Sequence, residues 1–317
     1  MFFNRASGFL LQSSDWANMD GLTIAVPSSL VREAEDEREA TRKIGSVARA
    51  ATVFRARRLV VFPDREGESR LGGEFVRTVL AYASTPPRLR SELWGKRDEL
   101  AYVGVLPPLR VPSQTGSTPD GAESSTQGIV TKVGSDDRVR VNCALAQHPI
   151  SLLVPDGLSV REGERVTLRV SSRDPLRARI TGYPEAGFQV TGAELTEVIA
   201  EAGLTIAASR HGQELSVSRL GKVVQTVSEA DGTAVVFGAP QRGLPAMLGV
   251  APEQVTGERA SAGRDQSQSA AADGRSVDTG ADPEFDCWLN TIPNQGSEVV
   301  RTEEAVFATL ASLSLTE

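Results

Sequence analysis

The C-terminal run Phe285–Leu313, FDCWLNTIPNQGSEVVRTEEAVFATLASL, constrains the fold more than any other stretch. It opens as a short apolar strand (Asp286–Leu289), breaks at Pro293 into the polar, glycine-containing loop Asn294–Ser297, and resumes as a helix from about Thr302. Thr302 is placed to N-cap that helix, with Glu303 and Glu304 in the first turn, where carboxylates suit the dipole. Val306, Leu310 and Leu313 fall at i, i+4 and i+7, and Ala305, Phe307 and Ala308 make other sides apolar too, so the helix is expected to be buried. A strand, a sharp loop and a buried helix build a backbone-lined pocket at a strand's carboxyl end, the usual ligand position in α/β sheets. One such unit is also compatible with an idle loop. A second stretch with the same grammar, Val235–Pro245 (VVFGAPQRGLP), again a buried strand ending in a glycine- and proline-shaped loop, argues against an idle loop.

Earlier in the chain, Leu22–Pro27 reads as a buried strand, and Ser28 and Ser29 as N-caps of a long helix reaching about Phe54. On that helix Arg38, Arg42 and Arg49 share a face opposite Ile44, Val47, Ala48, Ala51 and Phe54. An arginine stripe is either a solvated face or a phosphate-contacting one. Leu59–Phe62 is a second strand, and Gly73–Ala83 a helix stopped by Pro86-Pro87. Between Arg88 and Arg110, Trp94 and Tyr102 are interleaved with Arg90, Lys96 and Arg97; these either stack bases and hold phosphates or form a lid over the core.

Residues 111–126 read as a linker. From Gly128 the pattern changes to about five short strands separated by Asp, Gly and Pro signals, a small all-β module consistent with a Greek-key barrel. It is arginine-rich: Arg138, Arg140, Arg161, Arg165, Arg169, Arg173, Arg177 and Arg179. After Gly182 the α/β pattern resumes with a helix (Ala193–Ala202), a strand (Leu204–Ala208), a loop (Ser209–Gly212) and a further helix (Ser216–Ala230). Residues 252–283 are polar and low in complexity and read as a flexible insertion. The α/β part is therefore discontinuous, 19–110 and 185–317, with the barrel inserted over 111–184. Residues 1–18 lack a long apolar region and a cleavage site, and read as an extension before a start at Met19.

Composition excludes several classes. With 40% hydrophobic and 24% charged residues the chain is ordinary globular material. Two cysteines and two histidines supply neither a disulfide framework nor metal spacing, so no metal and a reduced, cytoplasmic setting are expected. No apolar run approaches the roughly 18 residues of a membrane span. No G-x-G-x-x-G follows a strand, and there is no P-loop and no nucleophile elbow. The net charge of −7 does not favour nucleic acid if spread evenly, but only four of the 34 basic residues are lysines (Lys43, Lys96, Lys132, Lys222). An acidic, lysine-poor, arginine-retaining composition suggests adaptation to high salt, where screening weakens phosphate attraction.

The two loops IPNQG and VFGAP, together with PSSLVREA (Pro27–Ala34), RKIGSVARAATVF (Arg42–Phe54) and VGVLPPLR (Val103–Arg110), resemble the SPOUT (α/β-knot) RNA methyltransferases. Within these, the match is to the archaeal and eukaryotic branch with an OB-like insertion, and it covers most of the chain. The resemblance implies a trefoil-knotted parallel sheet with helices on both faces plus the inserted OB-like barrel. It also implies a homodimer, S-adenosylmethionine as cofactor, and methyl transfer to RNA, with ribosomal RNA and uridine N3 as the expected target. Carried over by position, it implies that Gly238, Ala239 and Pro240 meet the adenosine. Asn290, Thr291, Ile292, Pro293, Gln295 and Gly296 would form a second wall, closed by Val300 and Thr302. Ser209 and Arg210 would reach the methionine carboxylate or the RNA. Arg301, to polarise a base carbonyl, and Glu303, to accept a proton, are the catalytic candidates. Arg38, Arg42, Arg49, Arg138, Arg140 and Arg242 are the RNA-binding ones. Two other classes stay open: a non-catalytic RNA-binding or assembly factor on the same fold, and a different nucleotide-using α/β enzyme.

Overall fold

The computed structural model describes residues 21–111, 124–134, 136–146, 148–184, 187–252 and 285–315. The expected N-terminal extension, most of the expected linker and, apart from Pro252, the expected insertion over 252–283 lie outside them. The chain divides into two compact units; among the described residues the first holds 34–59 and 74–192, and the second 21–33, 60–73 and 193–315.

The second unit is built on parallel strands. β1 (Leu22–Pro27) pairs with β10 (Thr233–Phe237), β10 with β9 (Leu204–Glu214), and β9 with β11 (Cys287–Asn290), all parallel. Continuing past β1 comes β2 (Arg58–Phe62), where the Ser28 N–H donates to Phe62 O at 2.8 Å. Buried on both faces, such strands read as unbroken apolar runs, and TAVVF of β10 is buried at every position. Ala25, Val60, Phe62, Ala207, Val236 and Leu244 form one core. Around the sheet of this unit run α4 (Leu195–Glu201), α5 (Val217–Glu229), α6 (Leu244–Leu248) and α7 (Thr302–Leu313).

The first unit contains α1 (Glu37–Val53), α2 (Gly73–Ser84, from Glu74 on), α3 (Pro87–Leu93) and a five-stranded antiparallel sheet. Its strands are β3 (Ser124–Val133), β4 (Arg138–Asn142), β5 (Ile150–Leu153), β6 (Arg165–Arg173) and β7 (Leu176–Gly182), in the order β5-β4-β3-β6-β7. β5 comes round against β7, so the sheet is a nearly closed barrel. Val130, Val139, Val141, Leu168 and Ile180 fill it on the alternate-residue pattern of strands. Within this unit Arg88 of α3 bridges to the barrel, donating to Thr126 Oγ1 (2.7 Å) and Gln127 O. A short strand β8 (Gln189–Gly192) follows, its Gln189 N–H donating to Arg57 O at 2.8 Å.

Four local expectations are corrected. Ser28 and Ser29 do not cap α1; Asp36 does, its Oδ1 accepting from Glu39 N–H at 2.7 Å. The two serines instead bind Asp64: Ser28 Oγ accepts from its N–H and Ser29 Oγ donates to its carboxylate. Pro87 does more than stop α2, for it opens α3 at a first-turn position where a missing N–H costs nothing. Thr302 is the first residue of α7 and Arg301 its N-cap, with the Glu304 carboxylate accepting the Arg301 N–H at 2.9 Å. Ser209–Gly212 is not a loop, because β9 runs through it; yet the β11 register jumps from Ala207 to Gln213 between Trp288 and Leu289, leaving 208–212 bulged from that ladder.

In the interleaved aromatic stretch Trp94 and Arg90 pack against α2, while Tyr102 is exposed. Trp94 packs edge-on against Tyr82 at 5.9 Å and donates Nε1–H to Thr85 Oγ1, while Arg90 lies over Tyr82 and donates to Ala83 O and Thr85 O. Neither cysteine forms a disulfide; Cys143 lies in the barrel core and Cys287 is half-buried. Among the described residues no helix is long and apolar enough to cross a membrane.

Leu168 is fully buried in the barrel. Leu168→Ala is expected to destabilise the fold by about 2–5 kcal/mol, read as a lowered urea midpoint at unchanged slope.

Candidate functional site

At the carboxyl ends of β9, β10 and β11 the second unit holds a cavity of about 320 Å³. Its walls are the bulge of β9, the turn after β10, the loop after β11 and one face of α7. Of the residues that the family resemblance singled out, Ser209, Arg210, Gly238, Ala239, Asn290, Thr291, Ile292, Gln295, Val300 and Thr302 line it; Pro240, Pro293 and Gly296 do not.

Side-chain hydrogen bonds tie these walls together. Asn290 Oδ1 accepts from the Ile292 N–H (3.0 Å), turning the chain out of β11, while its Nδ2 donates to Arg210 O in the β9 bulge (3.1 Å). The hydroxyls of Thr291 and Thr309 meet at 2.8 Å, joining the loop to α7. Thr302 Oγ1 donates to Gly238 O at 2.8 Å, joining the start of α7 to the turn after β10. That turn is tight: Ala239 and Arg242 exchange backbone hydrogen bonds and Gln241 takes φ +59°. A Cβ at Gly238 would come within 2.8 Å of Gly243 Cα and 2.9 Å of Leu244 N, so only glycine fits without moving backbone.

Sequence reading missed His211, Gln241, Glu298, Ala305 and Thr309, which also line the cavity. Thr302, Ala305 and Thr309 were findable, since spacings of three and four put them on one helical face. The others meet only through the fold.

The catalytic candidates flank the cavity without lining it. Arg301 has a half-exposed guanidinium whose Nε lies 3.6 Å from Glu33 Oε1, and Glu303 is half-buried in the first turn of α7. Arg242 is likewise off the cavity, between Gln241 and Gly243, which line it. Its Nε bonds Asp64 Oδ1 at 3.0 Å and its Nη2 bonds Glu66 Oε2 at 3.0 Å.

The other proposed RNA contacts lie in the first unit. Arg38 and Arg42 are exposed on α1. Arg49, on the same helix, is spent within the unit: its Nη1 donates to Leu109 O at 2.6 Å and holds the segment that follows Val105. Arg138 and Arg140 are exposed on β4. The barrel places cations directly opposite one another across strands, Lys132 facing Arg140 and Arg169 facing Arg179. Opposed like charges destabilise a sheet unless an anion lies over them. Arg165 differs: it is buried, donates to Phe188 O at 2.6 Å, and burial pushes its pKa down to about 10.

Among the described residues no three His, Cys, Asp or Glu side chains gather as a metal site. A loop-built cavity at the ends of a parallel sheet, in a chain that also carries a cation-faced β-barrel, is the equipment of a nucleic-acid-modifying α/β enzyme. The chain belongs to the family described as "Putative RNA methyltransferase", matched over residues 21–313, and so to the SPOUT RNA methyltransferases. It is 56% identical over 93% of its length, and 99% of the relative's, to an uncharacterized protein of Haloarcula marismortui. An uncharacterized protein of Halobacterium salinarum is 58% identical over the same shares of the two chains. The 28S rRNA (uridine-N(3))-methyltransferase of Mus musculus is 29% identical over 92% of this chain and 75% of its own. The first two relatives come from salt-loving archaea and fit the arginine-over-lysine composition.

Replacing Thr302 by Val removes the bond to Gly238 O and is expected to cost about 1 kcal/mol. Gly238→Ala, which forces backbone apart, is expected to lower the melting temperature further than Thr302→Val does.

Proposed function

We propose that this chain methylates ribosomal RNA at N3 of a uridine, with S-adenosylmethionine bound in the cavity at the ends of β9, β10 and β11. The single observation that carries the reading is that three separate segments foreseen as cofactor-binding converge on one cavity. The cavity's chemistry fits the cofactor. Its volume is at the lower end of small-molecule sites. Apolar Phe237, Leu289, Ile292 and Val300 suit the nucleoside face, polar Asn290, Thr291 and Gln295 offer hydrogen bonds, and Arg210 and Glu298 supply the two charges that a zwitterionic amino-acid tail pairs with. Bound there, the cofactor would supply an electrophilic methyl group on a sulfonium.

The chain's own residues then bind, orient and exclude water. The Asn290, Thr291 and Thr302 bonds hold the walls in register. Uridine N3 must lose a proton to act as nucleophile; Arg301 would polarise the neighbouring carbonyl and Glu303 would take the proton. Arg301 is only loosely held by Glu33, so its guanidinium can turn toward a base. The barrel, read as an OB-like module, grips the RNA backbone with Arg138 and Arg140, and α1 contributes Arg38 and Arg42. The opposed pair Lys132–Arg140 supports this, because phosphate would relieve its repulsion.

The reading includes the trefoil knot, a cytoplasmic setting and a homodimer. The dimer has a structural correlate on α5. Leu220, Val223, Val224 and Val227 recur at i, i+3, i+4 and i+7 yet none is fully buried, and Phe307 on α7 is 41% exposed. An amphipathic face left half-covered suits a second copy.

Calorimetric titration in high salt tests the cofactor site: one S-adenosylmethionine should bind per chain, and Ala305→Trp, which fills the cavity from α7, should abolish binding. Failure of the wild type to bind would overturn the reading. Arg301→Ala should remove turnover on ribosomal RNA while leaving that titration unchanged; full turnover would exclude Arg301 from the mechanism.

A further inference from the structure

Arg242 carries two carboxylates of opposite character. Its Nε is shared between Asp64 Oδ1 at 3.0 Å and Oδ2 at 3.2 Å, and the Asp64 side chain is 4% exposed. Asp64 is itself fixed, with Ser29 Oγ donating to its carboxylate and Ser28 Oγ accepting from its N–H. A Cβ at Gly67 would fall 2.0 Å from Asp64 Oδ2, so the chain packs against this carboxylate too closely for a side chain there. Glu66, by contrast, is 86% exposed and touches Arg242 only through Nη2. A buried, hydrogen-bonded ion pair is costly to break from one side, whereas an exposed pair contributes little and is screened by salt.

We propose that Arg242 is a phosphate-binding arginine of the RNA site, held in place by Asp64 and masked by Glu66, whose carboxylate occupies the position an RNA backbone phosphate takes on binding. This rests on the RNA-methyltransferase reading above. The position suits the role, since Gln241 and Gly243 on either side of Arg242 line the cofactor cavity, so a phosphate here belongs to a nucleotide close to the one being methylated. The planar guanidinium suits the exchange as well. Asp64 fixes one edge, and the Nη edge keeps the fork geometry that matches a phosphate. Nη1 makes no hydrogen bond to the protein among the described residues. The acidic mask also answers a problem of the highly arginine-retaining chain: it keeps the guanidinium compensated until RNA arrives, so stray anions compete with a resident carboxylate.

The consequence is a gain of function. Glu66→Gln should tighten binding of a fluorescein-labelled, uridine-rich single-stranded RNA about two- to fivefold in anisotropy titrations, the worth of one exposed ion pair. Calorimetric affinity for S-adenosylmethionine should not change. Removing Arg242 alone would strand a buried carboxylate, so the control background is Asp64→Asn with Arg242→Gln, which neutralises the pair together. In that background RNA should bind more weakly, and Glu66→Gln should bring no gain. No tightening in the single variant overturns the proposal, and so does an equal gain in both backgrounds, which would mark Glu66 as a general repulsive charge. A wild type that binds the cofactor but no RNA would instead sink the RNA reading, and the mask with it.

Discussion

The pairing of β11 with β9 is the constraint on which the site depends. The last strand of the chain joins the sheet parallel to β9 through Cys287 and Trp288, then loses register and resumes against Gln213 and Glu214. Five residues of β9, 208–212, are thereby pushed out of that ladder, and Ser209, Arg210 and His211 become a wall of the cavity. Gly212 marks the tightest point: a Cβ there would lie 2.6 Å from Leu289 N. A regular ladder would have turned these side chains to alternate faces and closed the space. The cavity thus exists because two strands cannot stay paired throughout, and the Asn290 bond to Arg210 O holds the misfit open.

A second layer of organisation comes from short polar side chains used as staples between loops. Thr302, Thr309, Asn290, Ser28 and Ser29 each satisfy a backbone, hydroxyl or carboxylate partner on a different segment. Each bond is modest alone. Together they position loops that have few other reasons to sit where they do, which is what a site that must accept and release ligands requires. The barrel works on another principle. Its interior is aliphatic, which holds the strands together, while cations stand opposite one another across its outer strands.

Much of the cavity's outline was legible in the sequence because its signals are local. Pro293, the glycine at 238 and the apolar runs on either side mark strand ends and turns whatever the rest of the chain does. Arg242 and Arg49 show the opposite. As sequence they are two exposed-looking arginines; in the structure one is fixed by Asp64, 178 positions away along the chain, and the other by the carbonyl of Leu109. Likewise Ser28 and Ser29 fit an N-cap pattern, yet a buried carboxylate was a better partner than the first turn of α1, and Asp36 took the cap.

What the sequence determined by itself is the order of parts: parallel-sheet strands as continuous apolar runs, an antiparallel module as alternating ones, and sharp turns at 238–243 and 292–296. Periodicity and turn chemistry depend on neighbours within a few residues, so they survive without a fold. Only the tertiary structure decided that the segment after Ala208 bulges instead of looping, which arginines are already occupied, and that Thr302 fastens a helix to Gly238 instead of capping it. Those outcomes depend on which groups become neighbours once water is excluded, and a buried polar group takes the nearest partner that satisfies it.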